Sequence, residues 1–358
     1  MDGSSQSATN REILSSMKNQ RLLGVWIIFG VALLIGVFAI RDSSSSDESE
    51  IALVDATDAT DAADAGDPAT TTSSTAAPST TAAPTTATPT TAAPTTTVAP
   101  DAQDLPTSPA ELAVALSEAE MMIRSADEPA PWGRRQQQLY RVLSTNRDWA
   151  GETIAAVDDS IRPAVENNWD ARLNLSALVS SGNLSTILPA WRISAPLPAD
   201  ELIGYYQAAE TATGVPWEYL AAINLVETRM GRIEGLSTAG ATGPMQFLPS
   251  TWAECCEGDP TVDEDAILGA AVYLTVRGAP TDMAGALRGY NNSGRYVNAV
   301  TAYANVLEAD PSAYAGYHAW DVYFLSAAGL VRMPVGYNEA EPVDAAEWIA
   351  ANPDALID

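Results

Sequence analysis

Glu227 stands at the end of an apolar helical segment. A loop of small residues follows, and then the compact run Gly243-Pro244-Met245-Gln246-Phe247. A carboxylic acid at a helix end, facing such a loop, can donate a proton to a leaving oxygen in a cleft open to a polymer. On a helix of about 3.6 residues per turn, Tyr219, Ile223, Val226 and Met230 make an apolar stripe, and Glu227 lies at its border. Partial desolvation there raises a carboxyl pKa and keeps the acid protonated closer to neutrality. The same spacing also allows Glu227 to pair with Arg229 or Arg232, or to stand in solvent.

Other chemistries are narrowed by what the chain lacks. Its one histidine, His318, would have to serve any Ser-His-Asp triad, and a multi-histidine zinc site is excluded. Cys255 and Cys256 are adjacent and cannot staple distant segments. Two free thiols in a turn are expected, with a vicinal disulfide as the alternative. The acidic run Asp259, Asp263, Glu264, Asp265 departs from the calcium-loop pattern, so helix capping is expected there and no metal site. The net charge of −28 and the absence of a basic patch argue against nucleic acid as a partner.

Several elements would carry and position this acid. Residues 22–40 contain no charge and approach the ~20 residues needed for a membrane-spanning helix. Arg11, Lys18 and Arg21 precede them, whereas the segment 42–108 holds eleven acids and no base. The positive-inside rule then leaves residues 1–21 in the cytoplasm and the rest outside, as a single-pass, uncleaved anchor in the cell membrane. Segment 42–108, rich in Thr, Ala, Pro and Asp, cannot bury enough apolar surface to order itself and reads as a tether. From Pro109 the pattern is helical, with Ser108 as the cap of the first helix.

Further helices are expected over 136–143, 154–165, 171–178, 199–213, 216–230, 263–276, 283–289 and 296–307. A small β-element is expected in the loop 232–249. Trp132, Trp149, Trp169 and Trp191 read as core residues. The fold class is therefore mainly α. The end of the chain, aromatic and then acidic, is expected to wrap what precedes it.

Glu227, the loop Ser237-Thr238-Ala239-Gly240-Ala241-Thr242-Gly243-Pro244-Met245-Gln246 and the later Tyr290-Asn291 occur in that order. Together they resemble the soluble lytic transglycosylase (SLT, lysozyme-like) family. The run Gly243 to Trp252 and the stretch following Tyr290 are most similar to its actinobacterial membrane-anchored branch and to the membrane-bound B type. The resemblance covers about 191–320. It implies a lysozyme-like helical catalytic domain over 191–325, preceded by a helical region of unknown role at 109–190 and followed by an extension at 326–358.

The resemblance also implies roles. Glu227 would be general acid and then general base. Ser237 and Gln246 would hydrogen-bond the sugar or its acetamido group, and Met245 would line the cleft. Tyr290 would orient Glu227 or contact the reacting sugar, and Asn291 would hold the loop. The implied partner is the peptidoglycan glycan strand and the implied cofactor is none. The implied reaction cleaves the β-1,4 bond from N-acetylmuramic acid to N-acetylglucosamine with 1,6-anhydro ring closure, through a single carboxylate and the substrate's own acetamido group. A lysozyme-type hydrolase with Glu234 or Asp259 as second carboxylate, and a catalytically silent wall-binding protein, are the alternatives.

Overall fold

The computed structural model describes Pro100 and residues 103–178 and 184–357. The expected membrane span at 22–40 and nearly all of the expected tether lie outside the described residues. Among the described residues no helix is long and apolar enough to cross a membrane. The described chain is mainly helical, with a few short strands.

The first four helices are α1 (Pro109–Ser125), α2 (Ala130–Thr145), α3 (Ala150–Ala156) and α4 (Arg162–Ser176). α1 starts where the cap residues predict. The Ser108 hydroxyl accepts the Glu111 amide at 3.3 Å, and the Glu111 carboxylate reaches back to the Thr107 amide at 2.8 Å. The expected helix over 154–165 is instead two helices. Asp158 turns the chain between them by accepting from the Ser160 amide and hydroxyl, and Pro163 sits in the first turn of α4, where its missing N–H costs nothing. The expected 171–178 helix is the end of α4.

After the short strands β1 (Ile187–Leu188) and β2 (Arg192–Ile193) come α5 (Ala199–Thr213), α6 (Trp217–Thr228) and β3 (Ile233–Glu234). They are followed by α7 (Pro249–Cys255), α8 (Asp263–Val276), α9 (Met283–Tyr290), α10 (Gly294–Ala309) and α11 (Tyr314–His318). β3 is the expected β-element of the 232–249 loop, and it pairs antiparallel with β2. Asp282 and Ser293 cap α9 and α10 by accepting the Gly285 and Tyr296 amides.

Helices α1–α4 are not a separate body. α4 and α6 both pack along α10, and Leu112, Leu139, Val165, Leu220, Leu274 and Tyr303 belong to one apolar core. Trp169 is buried in this core, and Trp132 and Trp149 pack at its edge. Trp191 belongs to a second core.

A buried polar network joins the two ends of the helical layer. Glu120, fully buried on α1, accepts from Gln136 at 2.9 Å and Tyr140 at 2.7 Å, and pairs with Arg124 at 2.7 Å. Arg124 also holds Asp310 at 2.8 Å, and Gln136 accepts from the Trp320 indole at 2.9 Å.

The end of the chain departs from the expected wrap. Strands β4 (Val322–Ser326), β5 (Gly329–Met333) and β7 (Leu356–Ile357) form a three-stranded antiparallel sheet in the order β4-β5-β7. β6 (Val343–Asp344) returns to pair with β1, ahead of α12 (Ala345–Ala351). The second core lies here, from Leu188, Trp191 and Ile233 to Val331 and Tyr337. The boundary expected between 325 and 326 therefore falls inside β4. Val322, Tyr323, Phe324 and Val331 are residues that favour strands, and β4 and β5 pair with each other as a hairpin, whereas the residues 188–193 that share their core are more than a hundred positions away.

Removing Glu120 would leave Arg124, Gln136 and Tyr140 facing a vacated buried site. Glu120→Ala is expected to cost about 3 kcal/mol, read as a lowered denaturation midpoint in urea at unchanged slope.

Candidate functional site

α6 ends in an unusual way. Arg229, Met230 and Gly231 adopt left-handed backbone in succession, at φ 56°, 61° and 78°. The first two carry side chains and cost on the order of 1 kcal/mol each or more. The Met230 amide returns to the Asn224 carbonyl at 3.2 Å and the Arg229 amide to the Leu225 carbonyl at 3.3 Å, which closes the last turn. Two side chains of that turn then reach across to the following loop. Asn224 donates to the Pro244 carbonyl at 2.9 Å and Thr228 donates to the same oxygen at 2.6 Å. Tyr206 on α5 fixes Asn224 by donating to its side-chain oxygen at 2.7 Å.

The loop is shaped to come this close. Gly243 is left-handed at φ 78°, and a Cβ there would collide with the Pro260 carbonyl oxygen. Thr242 and Phe247 exchange backbone hydrogen bonds around the turn. Phe247 packs edge-on against Trp252, Tyr273 and Tyr290.

Glu227 lies in the last turn of α6, between Val226 and Thr228, with its surface only partly open. Its carboxylate accepts from the Tyr296 hydroxyl at 2.8 Å. Burial pushes the Glu227 carboxyl up to about 7, with the Tyr296 hydrogen bond opposing the rise. Burial also holds the Tyr296 phenol well above its usual range, so it remains a donor at neutral pH. The arginines near Glu227 in sequence turn elsewhere. Arg229 donates to the Leu225 carbonyl and lies over the Trp320 ring at 5.9 Å, and Arg232 donates to the His318 carbonyl. A carboxyl that is half protonated near pH 7 and held by a neutral donor can serve as acid and as base in one cycle.

The other expected site residues divide. Ser237 is nearly buried, and its hydroxyl accepts the Ala239 and Ala241 amides at 3.2 and 3.0 Å, so it staples the loop. Gln246 is half-buried at φ 50° and donates to the Gly243 carbonyl at 2.9 Å. Met245 is fully buried in the core rather than exposed along a cleft, and its carbonyl accepts from Tyr290. Tyr290 therefore holds the loop, and Tyr296, in the first turn of α10, holds Glu227. Asn291 is buried as the C-cap residue of α9.

Sequence reasoning missed Tyr296. The signal was a hydroxyl-bearing aromatic on the stripe Tyr296, Val300, Tyr303 that faces the core.

The remaining candidates are engaged elsewhere. Glu234 pairs with Arg192 at 2.7 Å and accepts from Ser194. Asp259 accepts from the Thr261 amide and hydroxyl, and Asp265 accepts the Asp259 amide at 2.9 Å. Asp263, Glu264 and Asp265 occupy the first turn of α8, where negative charge suits the helix dipole. Among the described residues no group of three or more potential ligands is arranged to hold a metal ion. His318 Nε2 lies 2.8 Å from the Leu197 carbonyl, which occupies the nitrogen a triad would use as base. Cys255 and Cys256 are joined in a vicinal disulfide, contrary to the free thiols expected. Adjacency alone did not distinguish the two states.

Comparison with known proteins returns no matching family model, no matching curated protein and no matching solved structure.

The raised Glu227 pKa carries a stability cost. The folded state binds the proton more tightly than the unfolded chain, so stability falls between pH 4.5 and about 7 and then levels. Glu227→Gln removes the titration. It is expected to be more stable than wild type by about 2 kcal/mol at pH 8. That advantage should disappear below pH 4.5, measured by denaturant melts across the range.

Proposed function

We propose that the chain is a murein lytic transglycosylase of lysozyme-like helical architecture. In this reading it is anchored by residues 22–40 in the cell membrane and tethered by 42–108, with its catalytic part on the outer, cell-wall side. It acts on peptidoglycan glycan strands and takes no cofactor. The observation that carries the proposal is Glu227 itself, a half-buried carboxyl near pKa 7 at a helix end, held by a tyrosine hydroxyl beside a rigid loop.

The chemistry follows from one carboxyl. Protonated Glu227 gives its proton to the glycosidic oxygen as the β-1,4 bond breaks and N-acetylglucosamine leaves. The acetamido oxygen of the N-acetylmuramic acid residue supplies the electron pair that stabilises the anomeric carbon. The Glu227 carboxylate then takes the proton of the 6-hydroxyl, and that oxygen closes on the anomeric carbon as the acetamido group withdraws. The proton balance is zero and no water enters. Glu234 and Asp259, the candidate second carboxylates for hydrolysis, are held by Arg192 and Thr261, which favours ring closure over hydrolysis. Gln246, half-buried at the turn, is the polar side chain placed to contact sugar in this reading, supported by Ser237 and Tyr290, which hold the loop in place.

The purified full chain is expected to solubilise murein into anhydro-muropeptides, lighter by one water than hydrolysis products on mass spectrometry. Glu227→Gln should lower the rate by about 10³-fold. Hydrolysed ends would assign a lysozyme-type reaction, and an unchanged rate in Glu227→Gln would remove Glu227 from the chemistry. Because the acid must begin protonated, kcat/KM should fall tenfold per pH unit above about 7. Tyr296→Phe removes a bond that lowers the Glu227 pKa, so its alkaline limb should move to higher pH. A limb that stays in place would mean that the titrating group is not Glu227.

A further inference from the structure

Cys255 ends α7, Cys256 caps it, and the two are joined to one another. A disulfide stabilises a fold mainly by closing a loop of the unfolded chain, and between neighbouring residues there is no loop to close. Stapling therefore does not account for this bridge. Both cysteines are half-exposed, and exposed bridges are the ones that thiols open. Glu254 and Glu257 flank the pair and are exposed, so they repel an anionic thiol and leave a neutral dithiol as the favoured reductant.

The bridge is in contact with the turn beside the candidate site. Trp252, one turn earlier on α7, accepts the Cys256 amide at its carbonyl at 2.9 Å, and its indole N–H donates to the Gly258 carbonyl at 3.2 Å. The Trp252 ring and the Cys256 Cβ both lie against Gly269 of α8, where a Cβ would collide with the indole. Trp252 also packs edge-on against Phe247 at 5.1 Å, and Phe247 against Tyr290 at 5.6 Å. Phe247 closes the turn that carries Gln246 and Pro244, and Pro244 is the residue clamped to the end of α6.

Opening the bridge changes what these groups can do. Cys256 Sγ lies 3.5 Å from the Gly269 carbonyl oxygen. In the bridge that sulfur has no hydrogen; as a thiol it can donate to this oxygen, away from Cys255. The peptide between the cysteines is then free of the ring that held it. α7 has seven residues, too few to persist without support at its end, so its last turn and Trp252 become mobile together.

We propose that Cys255–Cys256 is a redox site at which an external neutral dithiol opens the bridge and so loosens the turn clamped to the end of α6. One thiol of the reductant attacks a bridge sulfur and its second thiol resolves the mixed disulfide. The Cys255–Cys256 bond breaks, two electrons and two protons pass to the cysteines, and the reductant leaves as its own disulfide. The effect on catalysis rests on the glycan-cleaving reading above; the reduction and the loosening do not.

The test treats the folded full chain with about 5 mM dithiothreitol and follows iodoacetamide labelling and amide hydrogen exchange. Labelling should require reduction and no denaturant. Amides of 242–256 should then exchange about tenfold faster, with those of α1 unchanged. A Cys255→Ser, Cys256→Ser double variant should exchange like the reduced chain and ignore dithiothreitol; should it fail to fold, the reduced and alkylated wild type takes its place. Labelling before reduction, opening only in denaturant, or unchanged exchange after reduction overturns the site. Glu254→Gln with Glu257→Gln should speed opening by glutathione, which is anionic, and leave the dithiothreitol rate unchanged; equal rates with and without the glutamates overturn the preference for a neutral reductant.

Murein solubilisation should fall about tenfold on reduction and recover on reoxidation. Faster exchange with an unchanged murein rate overturns the link to catalysis. No murein activity in either form, with the exchange response intact, overturns the glycan-cleaving reading and leaves the redox site standing.

Discussion

The Pro244 carbonyl is the point on which the site depends. Two side chains from the last turn of α6, Asn224 and Thr228, donate to that one oxygen. Glu227 lies in the same turn as Thr228, so the clamp fixes the acid and the loop relative to one another. It also accounts for the backbone around it. The helix must stop abruptly for Thr228 to face the loop, and three successive left-handed residues provide the stop. The loop must come within reach, and Gly243 is the residue that can pass so close to the Pro260 carbonyl. Tyr206 beneath Asn224 and Tyr290 on the Met245 carbonyl hold the two sides of the clamp from the surrounding helices.

The electrostatics follow from the same packing. With α6 ended and α10 laid against it, Glu227 is withdrawn from water, and a neutral phenol is what it finds. A cation in that place would have held the carboxyl ionised at neutral pH. The arginines of the region are directed to carbonyls and to aromatic faces, which leaves the acid to be governed by burial. The interior thus separates its polar groups by purpose. Glu120 and its partners Arg124 and Gln136, which hold Asp310 and Trp320, tie the first helices to the later ones, and Glu227 with Tyr296 stays apart from them.

Where local signals decide structure, the sequence was informative. The bounds of α5 and α8 are those expected, because an apolar period is closed at each end by residues that stop a helix. The Ser108 and Asp282 caps are likewise local. The position of Glu227 on the border of an apolar stripe anticipated its burial. What could not be read was the direction of side chains set by distant packing. Tyr290 and Tyr296 are six residues apart and chemically identical, and the turn between α9 and α10 decides which one meets the acid. Ser237 has the type of a ligand-binding residue but spends its hydroxyl on two amides of its own loop. The C-terminal sheet was hidden because its strands are short and the residues that share its core, near 188–193, lie far away in sequence.

The shared core has a consequence for when the acid becomes an acid. Glu227 is withdrawn from water with α10 packed along α6, and α10 is itself packed along α4 from the first part of the described chain. A nascent or truncated polypeptide ending before residue 294 would carry an ordinary glutamate at 227, ionised at neutral pH and unable to donate. The raised pKa of Glu227 is thus a property of the finished fold, absent until the later helices have docked.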